Sequence, residues 1–476
     1  MGARSGSFVK RVHLVGIGGA GLSAIARVLL AQGYRVSGSD LCASEMTRQL
    51  QMLGATISIG HAADHLGPEE DADLEAVIVS SAIAPENPEV LEAHRRGVPV
   101  YKRAEWLRHI STERNLRCVA VAGTHGKTTT TAMITYIAHQ ANLQPTFIVG
   151  GTIRQLGTNA GAGSGDVFII EADEYDHMFW GLYPEIAVIT TVEWDHPDCY
   201  PTPESMRDGF VQFVGHISPK GWLVACVDDA GVSDVITHAH RSNQLRACLD
   251  TYGLTAQARW QAQNLCENVR GGYDFDVVCD GHRASRVSLQ VPGLHNVRNA
   301  LGSIVAVEHL GVSLQHAAAA LSDFAGVERR FECKGEINGI AVLDDYAHHP
   351  TEIRATLAAA RTVYGKRPLW VVFQPHTYSR TRALLDAFAQ SFTDADHVIV
   401  LDVFAAREAK DEEISGALIV ERTRHPDAHY IGQMEQAAEY ILKHIEPNAV
   451  LITLGAGDGY RVGELVLQRL RQRAQR

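Results

Sequence analysis

The residues best suited to chemistry in this 476-residue chain lie in the stretch GTHGKTT at 123–129. It follows an apolar run at 118–122 and precedes a helical pattern at 130–140, the setting a phosphate-binding loop requires. In such a loop the backbone N–H groups of Gly123, Thr124, His125 and Gly126 cradle a β-phosphate. Lys127 bridges the β- and γ-phosphates, Thr128 offers a hydroxyl to Mg2+, and Thr129 completes the loop. The spacing departs from the common GxxxxGK[ST] form, because position 121 is valine and the turn is shorter. Two further polar groups follow neighbouring apolar runs: Glu171 after 167–170, and Asp195-His196 after 186–190. Ligands of open α/β sheets gather at the carboxyl ends of strands, so Glu171 and His196 are candidate Mg2+ ligands or supports for them. Asp173, Glu174 and Asp176 are not singled out, because acidic loops after strands are common.

A second glycine turn, GIGGAG at 16–21, comprises Gly16, Gly18, Gly19, Ala20 and Gly21, with Asp40 nineteen residues beyond. Its glycines let a diphosphate approach a helix N-terminus, where unpaired N–H groups and the dipole favour anions. This motif alone leaves open a dinucleotide dehydrogenase, another nucleotide-diphosphate binder and a turn without a ligand.

Positioning these groups takes several elements. Short apolar runs at 12–15, 34–37 and 76–80 alternate with helical stretches such as 22–32, which indicates βαβ units. A polar linker is expected at 110–116, then a second α/β unit from 118. Polar–apolar alternation between about 230 and 292 predicts an antiparallel appendage, and 296–309 predicts a helix. Strands at 341–343, 369–373, 398–401 and 450–454 predict a third unit. The expected fold is α/β in three domains: 1–112 Rossmann-like, 113–326 P-loop ATPase-like with the appendage, and 327–476 Rossmann-like.

Bulk properties narrow the class. Charged residues make up 21% and the net charge is -12, so no global basic field attracts nucleic acid. The eight cysteines show neither CxxC nor zinc-like spacing, which suits reduced thiols in a cytosol. Arg4, Lys10 and Arg11 precede an apolar stretch, but His13, Arg27 and five glycines break it before an export core is complete. No apolar run is long enough to span a membrane, so a cytoplasmic protein without stable membrane insertion is expected.

The motifs come in a telling order: GIGGAG at 16–21, SSAI at 80–83, AGTHGKTTTT at 122–131, GGT at 150–152, GTNA at 157–160 and EADE at 171–174. GLHNVRNALG at 293–302, RRFE at 329–332, DDYAHHPTEIRATL at 344–357 and QPHTYSRTR at 374–382 follow. Over nearly the whole chain this series resembles the Mur ligase family of peptidoglycan synthesis. The resemblance implies that the N-terminal turn holds a UDP diphosphate, with Asp40, Ser80 and Ser81 beside it. It implies ATP on 123–129, with His295, Asn296 and Asn299 at the adenine, Arg330 on phosphate and Asp345 on ribose. Tyr346, His348 and Arg380 then gather an amino acid.

QPHTYSRTR and DDYAHHPTE are most similar to the branch that adds L-alanine to the lactyl carboxylate of UDP-N-acetylmuramate through an acyl-phosphate, with ATP and Mg2+. There Arg380 is expected to grip the alanine carboxylate, with His348 either the base for its amine or a positioning group. Because these groups lie in the third domain and the phosphate loop in the second, domain closure is implied. Tyr175, where that branch usually has serine, is more like a sibling that recycles a murein tripeptide. Thr377 replaces an arginine many members carry. No lysine occurs between His196 and Lys220, so the carbamylated lysine of several siblings has no counterpart.

Overall fold

The computed structural model describes residues 10–69, 73–113, 116–406 and 408–474. Three α/β domains follow one another along the chain, and packing gathers their residues into two compact units. The first holds the chain up to Val192 with Arg207–Trp260 and Gly302–Ala320; the second holds Glu193–Met206, Gln261–Leu301 and Leu321 onward.

In the first unit β1 (Arg11–Val15) leads through the glycine turn into α1 (Ala20–Ala31). β2 (Arg35–Asp40), α2 (Glu45–Met52), β3 (Thr56–Ile59), β4 (Leu74–Val79), α3 (Pro88–Arg95), β5 (Val100–Lys102) and α4 (Arg103–Glu113) follow. The sheet is parallel in the order β3-β2-β1-β4-β5. Its direction of winding reverses at β1, where open sheets receive ligands.

The same unit continues with β6 (Arg117–Ala122), α5 (Lys127–Gln140), β7 (Thr146–Ile153), β8 (Thr158–Gly161) and β9 (Val167–Glu171). Then come β10 (Ile186–Ile189), β11 (Trp222–Cys226) and β12 (Cys248–Gly253). Their order is β12-β11-β10-β6-β9-β7-β8, parallel apart from the β7–β8 pair. β6, β9 and β10 are buried almost throughout, as strands covered on both faces must be. Ala24 and Val28 of α1 pack on Ile148, Ala160 and Ala162, so small side chains bring the glycine turn's helix against the β7–β8 hairpin.

The second unit carries β13 (Trp260–Glu267), β14 (Tyr273–Cys279) and β15 (His282–Ser288) side by side, the last two antiparallel. It also carries β16 (Glu332–Ile337), β17 (Ile340–Asp345), β18 (Leu369–Phe373), β19 (His397–Val400), β20 (Ala428–Tyr430) and β21 (Val450–Leu454). These run in the order β16-β17-β21-β18-β19-β20, parallel except for the β16–β17 hairpin.

Three expectations need correction. The linker expected at 110–116 is helical through Glu113, with 114–115 outside the described residues. The appendage does not begin at 230: Ala230–Arg241 is a helix and β12 joins the sheet in parallel. β12 disguised itself because it carries a fully buried Asp250, which His309 and Arg259 neutralise at 2.9 and 2.5 Å. Finally, α5 starts at Lys127 and not at 130. Four of its five threonines, poor helix formers, are buried, and Thr131 donates back to the Lys127 carbonyl at 2.8 Å.

One carboxylate organises the N-terminal sheet. Glu89, fully buried near the start of α3, accepts from His13 Nε2 at 2.8 Å and Ser39 Oγ at 2.7 Å. Its other oxygen meets His61 Nδ1, His65 Nδ1 and the Ala62 N–H at 3.1–3.2 Å. Burial opposes its charge, but the bonds from His13, Ser39 and His61 hold its pKa down to about 2. A depressed carboxylate pKa contributes stability above the unfolded value near 4.5 and loses it as pH falls towards 2. Glu89→Ala is therefore expected to destabilise this sheet by about 3–5 kcal/mol at pH 7. In urea unfolding the gap to the parent should narrow as the pH is lowered to 3.

Candidate active site

The phosphate loop is built by β6, α5 and the end of β10. Gly123 (φ 136°) and Gly126 (φ 82°) adopt backbone angles that side chains disfavour, and a Cβ on Gly123 would lie 2.1 Å from Thr190 Oγ1. Thr190 Oγ1 donates to the His125 carbonyl at 2.5 Å, and Thr191 Oγ1 accepts from the His125 N–H at 2.9 Å. The Thr124 N–H donates to the Thr191 carbonyl at 2.9 Å. Two threonines after a strand thus fix the loop's curvature.

Beneath it, Lys127 Nζ donates to the Gly123 and Thr124 carbonyls at 2.5 and 3.2 Å and meets both oxygens of Glu174 at 2.7–2.8 Å. Burial alone would lower the lysine's pKa, but the charges of Glu174, Asp173 and Glu171 outweigh it and raise it. Burial pushes the Glu174 carboxyl up to about 7 although Lys127 pulls the other way. Glu171, raised by burial, accepts from Thr128 Oγ1 at 3.1 Å and from the Gly150 N–H at 2.7 Å. A Cβ on Gly150 would stand 2.5 Å from that carboxylate, which explains the glycine of the GGT motif. Glu171 and Thr128 therefore lie side by side; Glu174, not singled out in the sequence, is the residue that neutralises Lys127. An EADE run after a strand was its only signal.

At the N-terminal turn, the Gly16 and Ile17 N–H groups donate to the Ser39 carbonyl at 2.8 and 3.0 Å. Asp40 accepts from the Gly18 N–H at 2.8 Å, so the acidic residue closes the turn itself. Ser80 packs within 3.0 Å of the Cβ position of Gly16, and Ser81 is exposed on the same turn. Gly19 caps α1, which starts at Ala20 and carries Gly21 in its first turn.

The second unit assembles the remaining candidates. Asp345, buried at the end of β17, accepts from the Phe331 and Ala347 N–H groups at 2.7 and 2.8 Å. Burial lifts its pKa to about 6 against the pull of Arg330. Arg329 and Phe331 take left-handed backbone angles (φ 58° and 48°) on either side of Arg330, strain of the kind functional segments hold. Arg330 lies over the Tyr346 ring at 5.1 Å. Asn296 and Asn299 do share a helix face: the Asn299 amide donates to Asn296 Oδ1 at 3.1 Å, and Asn296 donates to the Pro292 carbonyl at 2.7 Å. Burial beside Arg298 and Arg330 lowers the His295 pKa to about 4.

Two expectations change here. Arg380 does not offer an open fork: Nε and Nη2 grip Asp195 at 2.8 and 3.1 Å, and Nη1 donates to the His376 carbonyl at 2.9 Å. Burial works against the Asp195 charge, yet Arg380 holds that carboxyl well below its usual range. Arg380 thus anchors the 193–206 segment, and His196 (φ 54°) sits beside it with Nδ1 at 3.4 Å. His196 belongs to the second unit, whereas Glu171 and Thr128 belong to the first. His348 is likewise no physiological titrator, because burial lowers its pKa to about 3. Its Nδ1 lies 3.0 Å from the Tyr346 carbonyl, which assigns the proton to Nδ1 and the lone pair to Nε2. Thr377 is buried, with its hydroxyl 3.0 Å from Ser379.

A glycine-cradled lysine beside two carboxylates from the end of the neighbouring strand is the arrangement of an α/β protein that handles nucleoside phosphates. Three family descriptions match in order: "Mur ligase family, catalytic domain" over 11–115, "Mur ligase middle domain" over 121–307 and "Mur ligase, glutamate ligase domain" over 329–457. The chain belongs to the Mur ligase family. It is 42% identical over 468 residues to the UDP-N-acetylmuramate–L-alanine ligase of Geobacter sp., covering 97% of this chain and 98% of that one. Against the enzyme of the same name from Salinibacter ruber it is 44% identical, with 97% and 95% covered. Among solved structures, the UDP-N-acetylmuramate–alanine ligase of Thermotoga maritima superposes with a TM-score of 0.80 at 28% identity, covering 97% and 99%. A murein peptide ligase from Psychrobacter arcticus gives 0.70 at 27%, covering 97% and 98%.

A histidine that titrates near pH 3 is neutral across the working range. His348→Asn is expected to change turnover or KM while leaving the acidic limb of the kcat–pH profile in place between pH 5 and 9. Loss of that limb would restore His348 as the titrating base.

Proposed function

We propose that this chain is an ATP-dependent ligase that joins L-alanine to the lactyl carboxylate of UDP-N-acetylmuramate. The observation that carries it is the Lys127 loop with its Glu171–Thr128 pair, in a chain more than 40% identical over nearly its full length to ligases of that name. The domains proposed are 1–112 for the nucleotide sugar, 113–326 for ATP and 327–476 for the amino acid. The reaction belongs in the cytoplasm, where ATP is available, and no helix of the described residues is long and apolar enough to cross a membrane.

A carboxylate becomes reactive towards an amine only after activation. The lactyl carboxylate attacks the γ-phosphate in line, giving an acyl-phosphate and ADP; the alanine amine then attacks the acyl carbon and phosphate leaves. Because two anions must meet, the positive charge of Lys127 at the γ-phosphate, and that of Arg330 as a second phosphate ligand, lower the barrier. Glu171 and Thr128 present hard oxygen donors 3.1 Å apart, a set that fits Mg2+. Bound there, Mg2+ supplies further neutralisation of phosphate charge. Glu174 yields Lys127 to the incoming phosphates, a transfer made easier by its raised pKa. Asn296 and Asn299, with His295, serve the adenine. Asp345 supports the ribose side while fixing the backbone next to Arg330, at Phe331, and next to His348, at Ala347. Tyr346 and neutral His348 orient the amine through the Nε2 lone pair, and Arg380 braces that pocket through Asp195.

The test is phosphate release with UDP-N-acetylmuramate, ATP and Mg2+, offering alanine or the murein tripeptide L-alanyl-γ-D-glutamyl-meso-diaminopimelate. Alanine-dependent release is expected, lost by at least about 1,000-fold in a folded Lys127→Ala variant. Release only with the tripeptide would instead give Tyr175 its recycling significance, and near-normal turnover in Lys127→Ala would remove the ligase reading.

A further inference from the structure

We propose that Arg103 is a direct ligand of the UDP diphosphate, reaching across the first turn of α1, and that Gly21 is glycine to admit it. The anion's identity rests on the function proposed above; the residue and its route come from the geometry.

A Cβ on Gly21 would lie 2.2 Å from Arg103 Nη1, 2.9 Å from its Cδ and 3.1 Å from its Cζ. The arginine side chain therefore lies against the first helical turn, in space any other residue at 21 would fill. The third glycine of a GxGxxG turn ordinarily serves helix–strand packing; here it makes way for a cation. The approach is built in from the other side too. α4 begins at Arg103, the Lys102 N–H is capped by Glu105 at 2.7 Å, and the Ala104 carbonyl would stand 2.4 Å from a Cβ on Gly181. Arg103 is thus delivered by a helix end clamped at a second glycine.

The electrostatics of this placement call for an anion. The N-cap of α1 is Gly19, which makes no side-chain cap, and its first turn carries no acidic residue. The positive end of the helix dipole is therefore unrelieved from within, and a guanidinium laid against it is repelled. Asp173 offsets part of this from the far side, 3.1 Å from Arg103 Nη2, while itself partly exposed. On the turn's other edge, Asp40 already occupies the Gly18 N–H. That leaves the first turn of α1 beside Arg103, whose fork of donors matches phosphate oxygens. Because Asp173 belongs to the EADE run that also carries Glu171 and Glu174, Arg103 connects the nucleotide-sugar turn to the acidic strip around Lys127.

The proposal is tested by titration calorimetry of UDP and of ATP into the full-length protein, as parent, Arg103→Ala, Arg103→Lys, Gly21→Ala and the Gly21→Ala/Arg103→Ala double variant. Arg103→Ala should weaken UDP about ten- to a hundredfold, the scale of a charge-assisted hydrogen bond, and flatten the salt dependence of UDP affinity. ATP affinity should be unchanged, and Arg103→Lys should recover part of the loss. Gly21→Ala should weaken UDP by displacing the arginine, and add little in the Arg103→Ala background. Unaltered UDP affinity in Arg103→Ala, or a loss that leaves the salt dependence intact, would overturn the assignment. A parent protein that binds ATP but no UDP would overturn the nucleotide-sugar reading itself.

Discussion

A lysine ammonium taken out of water has to be met by opposite charge, and much of the first unit serves the way Lys127 meets that demand. Two loop carbonyls and the Glu174 carboxylate surround it. That arrangement requires β9 to end beside β6, because only there can the EADE run reach beneath the loop. It also requires Thr190 and Thr191 at the end of β10, on the opposite side of β6, to hold the loop's curvature. The strand order of the central sheet is thus what the charge balance of one side chain needs. Buried charge of this kind contributes little net stability against an apolar alternative. On the function proposed, its value lies in an ammonium kept in place and exchangeable from carboxylate to phosphate.

The second unit handles buried polarity differently. Asp195 and Arg380 neutralise each other completely, His348 is stripped of charge, and Asp345 spends its oxygens on backbone amides. The groups proposed to face the amino acid are therefore largely fixed and uncharged, with recognition resting on shape and lone pairs more than on open ions. Such fixed dipoles suit an acyl-phosphate, because a preorganised site does not need water to complete its solvation.

How far the sequence disclosed this depended on whether a residue's partners lay close along the chain. The phosphate loop, the glycine turn and the Glu171 carboxylate were legible because each stands next to an apolar strand whose end locates it. The three α/β domains were legible for the same reason. β12 was misread because its buried Asp250 breaks the apolar run, and its neutralising partner His309 lies 59 residues away. Arg380 looked like an open recognition group because Asp195 lies 185 residues before it. The role of Glu174 and the protonation state of His348 depend on burial, which no local spacing encodes. Arg103, at the head of an ordinary amphipathic stretch, carried no signal at all.

The clamp at Asp345 has a dynamic meaning. One rigid carboxylate holds the amides of Phe331 and Ala347 with its two oxygens, so the segments bearing Arg330 and His348 are tethered to a common point. Thermal displacement of one is transmitted to the other, and their fluctuations become correlated instead of independent. The Arg330 charge and the His348 lone pair then keep their spacing through whatever excursions the domain makes as a body. In that sense a single side chain lets two loops behave mechanically as one part.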